Sequence, residues 1–94
     1  GAAKPARVSL KSVKAAKKGK VKVKYKKVSG AAGYQIQYSL KSNMKSAKSK
    51  TTKKATYTIS KLKKGKKYYV RVRAYNKGKK AYGDWSKKKA VKVK

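Results

Sequence analysis

Side chains that alternate one by one between apolar and polar leave a chain few choices. Successive residues of a strand face opposite sides of a sheet, so such a run makes a strand with one dry and one wet face. Lys20-Val21-Lys22-Val23-Lys24-Tyr25-Lys26 is the plainest case, with Val21, Val23 and Tyr25 on one side and four lysines on the other. Tyr34, Ile36 and Tyr38 alternate with Gln35, Gln37 and Ser39, while Tyr57 and Ile59 alternate with threonines and Ser60. Tyr68, Val70, Val72 and Ala74 alternate with Tyr69, Arg71, Arg73 and Tyr75. Val8 with Leu10 opens the pattern, and Val91 with Val93 closes it.

Between these runs stand Lys18-Gly19, Ser29-Gly30, Lys64-Gly65 and Lys77-Gly78, each offering a glycine that tolerates positive φ in a turn. Residues 41–54 show no clear period and read as a loop followed by a polar edge strand, whose lysines discourage sheet-to-sheet pairing. No useful length carries the 3.6-residue period of an amphipathic helix. Six or seven short strands separated by regular turns predict an all-β fold, a two-sheet antiparallel β-sandwich.

The chain has 94 residues, the size of one domain. Gly1-Ala2-Ala3 looks like a tag scar, so residues 1–4 are read as scar or linker and residues 5–94 as the domain. No apolar run approaches the roughly 20 residues of a membrane-spanning helix, and no signal-peptide core is visible. Without cysteine no disulfide framework exists, and the redox compartment stays open.

Charge is the second constraint. The sequence holds 32 lysines and arginines against a single acid, Asp84, for a formal net charge of +31. A domain of ordinary composition would carry about ten acids. High net charge with modest hydrophobicity is also a mark of disorder. Eight tyrosines, one tryptophan and the patterning of the apolar residues argue for a fold instead. Self-repulsion opposes compaction, most strongly at low salt, so the fold must rest on a well-formed apolar interior.

Four motifs in order carry a family resemblance. Gly33-Tyr34-Gln35-Ile36-Gln37-Tyr38 looks like the third strand of fibronectin type III domains. Leu62-Lys63-Lys64-Gly65-Lys66-Lys67-Tyr68 resembles their tyrosine corner, and Tyr68 to Tyr75 is similar to the sixth strand that follows. Tyr82-Gly83-Asp84-Trp85-Ser86 resembles the entry to the last strand in many bacterial members. The resemblance, from about Pro5 to Lys94, implies an immunoglobulin-like topology of about seven strands. The likeness is greatest to modules of Gram-positive surface or secreted proteins. It implies structural roles for Leu62, Gly65 and Tyr68, with Tyr25, Tyr34, Ile36 and Tyr38 in the core. Tyr25 stands where the family commonly has Trp; it fills less volume and brings a hydroxyl that needs a partner.

Catalysis is opposed by what is missing. General acid–base chemistry usually needs histidine or paired carboxylates, and Asp84 stands alone. Metal sites lack Cys, His and any acidic cluster, and no cofactor motif is present. A Ser–Lys dyad is compatible with the composition but needs a desolvated lysine, and none stands out.

Two features remain as binding candidates. Arg71 and Arg73 share a face with Tyr69 and Tyr75, and Trp85 stands where it can stack on a guanidinium. The set resembles half of the Trp-Ser ladder of cytokine-receptor members of this fold. It serves either as a structural stack covering one sheet face or as a ligand platform of rings and guanidinium forks. Asp84 offsets local charge or caps its turn. The other feature is the lysine coat: apart from Arg7, Arg71 and Arg73 the basic residues are 29 lysines, flexible point charges suited to diffuse attraction rather than base reading.

The expected function is therefore a non-catalytic module, a monomer within a larger extracellular or wall-associated chain. It binds anionic polymers or surfaces (wall polymers, acidic glycans, lipid headgroups), with incidental nucleic-acid binding. The alternatives are a nucleic-acid-binding module and an inert spacer or supercharged scaffold, since extreme positive charge also resists aggregation.

Overall fold

Strands form where the alternation runs and, for β4, in the unpatterned polar edge segment: β1 (Leu10–Ala16), β2 (Lys20–Tyr25), β3 (Gly33–Ser39), β4 (Lys48–Thr52), β5 (Thr56–Ile59), β6 (Lys67–Tyr75) and β7 (Lys89–Lys92). The computed structural model describes residues 4–94; the part of the scar or linker at residues 1–3 lies outside the described residues. The strands build two antiparallel sheets, one of three strands in the order β1-β2-β5 and one of four in the order β4-β3-β6-β7. A single turn of 3-10 helix at Lys77–Lys79 follows β6. Among the described residues no helix is long and apolar enough to cross a membrane.

The dry faces of the alternating runs meet between the sheets. Val21, Val23 and Tyr25 of β2 oppose Tyr34, Ile36 and Tyr38 of β3 and Tyr68, Val70, Val72 and Ala74 of β6, all buried. Val8, Ile59 and Val93 complete the cluster. Burying one such aliphatic side chain is worth about 1.5–3 kcal/mol, which is what this chain sets against its self-repulsion. The rings of Tyr25 and Tyr34 lie 4.8 Å apart and tilted, and those of Tyr38 and Tyr68 lie 6.4 Å apart.

Three core phenols bond to backbone. Tyr25 Oη donates to Lys54 O at 2.5 Å, Tyr34 Oη accepts from Val28 N at 2.8 Å, and Tyr68 Oη accepts from Lys63 N at 2.9 Å. The last contact closes the Leu62–Tyr68 corner, with half-buried Leu62 beneath it and Gly65 at φ +78° in its turn. Burial, then the nearby Tyr34 and Tyr75, raise the Tyr25 phenol far above its ordinary value; burial, then Tyr57 and Tyr68, raise Tyr38 as well.

Two departures from simple alternation matter. In β1, Leu10 faces Tyr25 and Val13 faces Val23, so two inward residues lie three apart. A bulge between Leu10 and Ser12 absorbs the extra residue. In β4, Lys48 and Lys50 sit opposite Tyr38 and Ile36, on the core-facing parity, yet both are exposed at the sandwich edge. Charges of inward parity on an edge strand block pairing with a second sheet.

Candidate functional site

The outer face of the four-stranded sheet is built by register. Gln35 of β3 faces Arg73 of β6, and Gln37 faces Arg71. Arg73 Nε donates to Gln35 Oε1 at 2.7 Å and Arg71 Nε to Gln37 Oε1 at 2.6 Å, which fixes both guanidinium planes. Beyond β6 the chain runs along the strand without regular pairing. Gly83 N donates to Ala74 O, Ser86 N donates to Val72 O, and Val72 N donates to the buried Ser86 Oγ, at 2.8, 2.8 and 2.9 Å. Those bonds place Trp85 between the two arginines.

The result is a stack. The Arg71 and Arg73 guanidinium carbons lie 4.4 and 4.3 Å from the Trp85 ring centre, and Arg73 lies 4.0 Å from that of Tyr82. Tyr82 packs edge-on against Tyr75 at 6.0 Å, and Arg7 Nε holds Trp85 O at 2.8 Å. Each cation–π contact is worth about 0.5–1 kcal/mol when exposed and more when desolvated. Burial, followed by the neighbouring Arg73 charge, lowers the Arg71 pKa from its ordinary value.

Of the five residues expected to form a platform, Arg71, Arg73 and Trp85 come together. Trp85 lies in the connection before β7, not within that strand. Tyr69 lies apart, with the Lys67 ammonium 5.5 Å from its ring. Tyr75 keeps its outward parity and meets the stack through Tyr82, but it is buried, its ring laid over Gly33, where a Cβ would collide with the phenol. A bare glycine opposite it in the β3–β6 ladder lets the ring fold down onto the sheet. The missed members are Tyr82, Gln35 and Gln37. Tyr82 stands three residues before Trp85 in the motif, and the glutamines share the parity of the outer face.

The lysine coat covers everything else. All 29 lysines are exposed, so none is desolvated as a Ser–Lys dyad would need. On the three-stranded sheet, Lys20, Lys22 and Lys24 point outward from β2, and Lys14 of β1 stands directly opposite Lys22. The one carboxylate is engaged locally. Asp84 Oδ1 lies 2.6 Å from Lys4 Nζ, both exposed, and that hydrogen bond, then the Lys4 charge, holds the carboxyl below its usual value.

The sequence profile of the fibronectin type III domain matches residues 4–89. A Fn3-like protein from Clostridium thermocellum is similar in structure, with a TM-score of 0.80 and 22% identity over 96% of this chain and 94% of that one. The chicken CNTN1 FN1-FN3 domains align at TM-score 0.78 and 23% identity, covering 100% of this chain and 33% of theirs. A β-1,2-glucanase from Parabacteroides distasonis aligns at 0.79 and 17% identity, over 95% of this chain and 12% of its own. No curated protein matches the sequence. At these identities the structural likenesses speak for the fold, and the family occurs as a module of multidomain proteins. With the profile spanning most of its length over a seven-stranded sandwich, the chain belongs to the fibronectin type III domain family.

Proposed function

We propose that this domain is a non-catalytic cationic module that binds anionic polymers or surfaces through its lysine coat. The observation that carries the reading is that 29 exposed lysines face solvent with one carboxylate among them, and that carboxylate is already bonded to Lys4. No second side-chain carboxylate competes with an external polyanion for the ammonium groups; their other partners include the Ser42 carbonyl for Lys88 and the rings of Tyr69 and Tyr75 for Lys67 and Lys79. The family's frequent use in extracellular or surface proteins supports a place outside the cell, as a monomeric module of a larger chain, with wall polymers, acidic glycans or anionic headgroups as partners. Near an anionic membrane each lysine contributes about 1 kcal/mol.

The Arg71–Trp85–Arg73 stack fits this reading as a rigid part of the surface. Both Nε atoms are bonded to glutamine oxygens and both guanidinium groups lie on Trp85, so an anionic group arriving here would meet fixed guanidinium planes. Nucleic acid is a partner of the same physics rather than of base reading.

The test is a binding panel of wall polymer, heparin, duplex DNA and anionic vesicles titrated with salt. Log affinity should fall linearly and steeply with log salt, with little preference at matched charge density. Salt-independent binding to one member sinks the proposal. A marked preference for one nucleic-acid sequence turns it into the nucleic-acid reading. No binding to any member at low salt leaves a spacer.

A further inference from the structure

One end of the sandwich holds a cavity of about 320 Å³ between the β3–β4 and β5–β6 connections. Its floor is apolar: Tyr38 and Tyr68 from the core edge, with Leu40 and Leu62 beside them. Leu40 is 45% exposed and is the one large hydrophobic side chain left in solvent among the described residues. Around this floor stand Lys41, Lys45 and Lys48 on one side and Lys61 and Lys63 on the other. No acid lines it. Two other hollows border lysines on apolar side chains, at Leu62 and at Val8 with Leu10, but neither has aromatic rings in its lining or a hydrophobic side chain as exposed as Leu40.

The walls are preformed. Ser39 Oγ donates to Lys45 O at 2.7 Å and accepts from Lys41 N at 3.1 Å, and Met44 N donates to Lys41 O at 2.9 Å while its side chain is buried. Met44, Ser46 and Lys61 all have left-handed backbone, at φ +63°, +56° and +60°. Residues other than glycine rarely adopt it, and held strain gathers at functional sites. Three of the five such residues in the described chain flank this one cavity.

We propose that this cavity binds a small anionic amphiphile, an aromatic ring or short acyl chain bearing a sulfate, phosphate or carboxylate. The apolar part rests on Tyr38, Leu40, Leu62 and Tyr68, and the anionic group meets the lysine rim. The size favours a free small molecule, since about 300 Å³ is the lower bound of ligand pockets and too little for a folded partner. The site goes beyond polyanion binding and does not rest on it, because its selectivity comes from the floor and not from summed charge.

The experiment titrates the labelled domain with hexyl sulfate, inorganic sulfate and hexanol at about 0.3 M salt, where long-range attraction is screened, and follows amide shifts. Hexyl sulfate should saturate, with shifts confined to the segments around Leu40 and Leu62. It should bind at least about tenfold tighter than either reference probe, as burial of several methylenes requires. Leu40→Ser, an exposed change that leaves the core intact, should weaken it by about tenfold, while Lys22→Gln on the other sheet should leave it unchanged. The polymer panel, run on Leu40→Ser, should not move, which separates failure of this site from failure of the coat. Equal affinity for hexyl sulfate and inorganic sulfate, shifts scattered over the lysines, or an unaffected Leu40→Ser overturns the proposal. So does an acidic peptide with an apolar anchor that binds here when hexyl sulfate does not.

Discussion

On the three-stranded sheet, Lys22 looks across the ladder at Lys14, with Lys20 and Lys24 on either side of it on β2. On the four-stranded sheet, Lys67 faces Lys92 at one end, but the middle of the outer face is held by two half-buried arginines, each clamped by a glutamine and laid on a ring. Both faces are positive, yet they are built on different physics. The lysine face leaves its charges to water and accepts their repulsion. The arginine face brings charge partly out of water in a protein with no carboxylate to spare. Amide oxygens and the negative π-faces of Trp85 and Tyr82 take the part that acids play elsewhere. What distinguishes the faces is therefore mobility and not sign: one is a brush of flexible ammonium groups, the other a fixed plate.

The sharpest way to break that contrast is Trp85→Ala. Removing the plate should cost about 2–3 kcal/mol in chemical denaturation, below the full value for a buried tryptophan because the ring is partly exposed. The loss should grow at low salt as Arg71 and Arg73 face each other unshielded. A cost under about 0.5 kcal/mol, the level of an ordinary surface change, would make this face another coat. Ser86→Ala comes next, at about 1–2 kcal/mol, because Val72 N loses its acceptor in a buried place. Tyr68→Phe should cost about 1 kcal/mol, a typical net hydrogen bond, and an unchanged melting temperature would remove the corner assignment.

On the other face the sign reverses. Lys22→Gln should be neutral or stabilising by about 0.2–0.5 kcal/mol, since it relieves a directly opposed like-charge pair. The melting temperature of the unaltered domain should rise with salt, and rise less in Lys22→Gln; a fall with salt would contradict the account of the coat. The smallest effect belongs to Asp84→Asn. The folded-state carboxyl is held below its unfolded value by Lys4, so its contribution is present above about pH 4 and fades as pH falls through the depressed value. The melting temperature of the unaltered domain should therefore drop slightly more than that of Asp84→Asn between about pH 5 and pH 2.

How much of this was legible follows from which interactions are local. Parity along β2, β3 and β6 is written residue by residue, and every side chain it turned inward there is buried. The corner was legible because Leu62, Gly65 and Tyr68 lie within one short stretch. What escaped depends on register between distant strands. The glutamine clamps need Gln35 beside Arg73, a pairing of residues 38 apart. The burial of Tyr75 needs Gly33 opposite it, and the bulge in β1 is invisible until Leu10 and Val13 must both meet β2. The end cavity escaped for the same reason, because its floor joins two connections that the sequence holds far apart.

The sandwich is elongated, 44 Å along its long axis and 23 by 19 Å across. A net charge of +31 over 44 Å is one per about 1.4 Å, denser than the one per about 1.7 Å of duplex DNA. A rod so charged gathers its own atmosphere of condensed anions. Docking on a polyanion would then shed ions from both partners, so the salt exponent should exceed the number of phosphates touched and should change with the identity of the buffer anion.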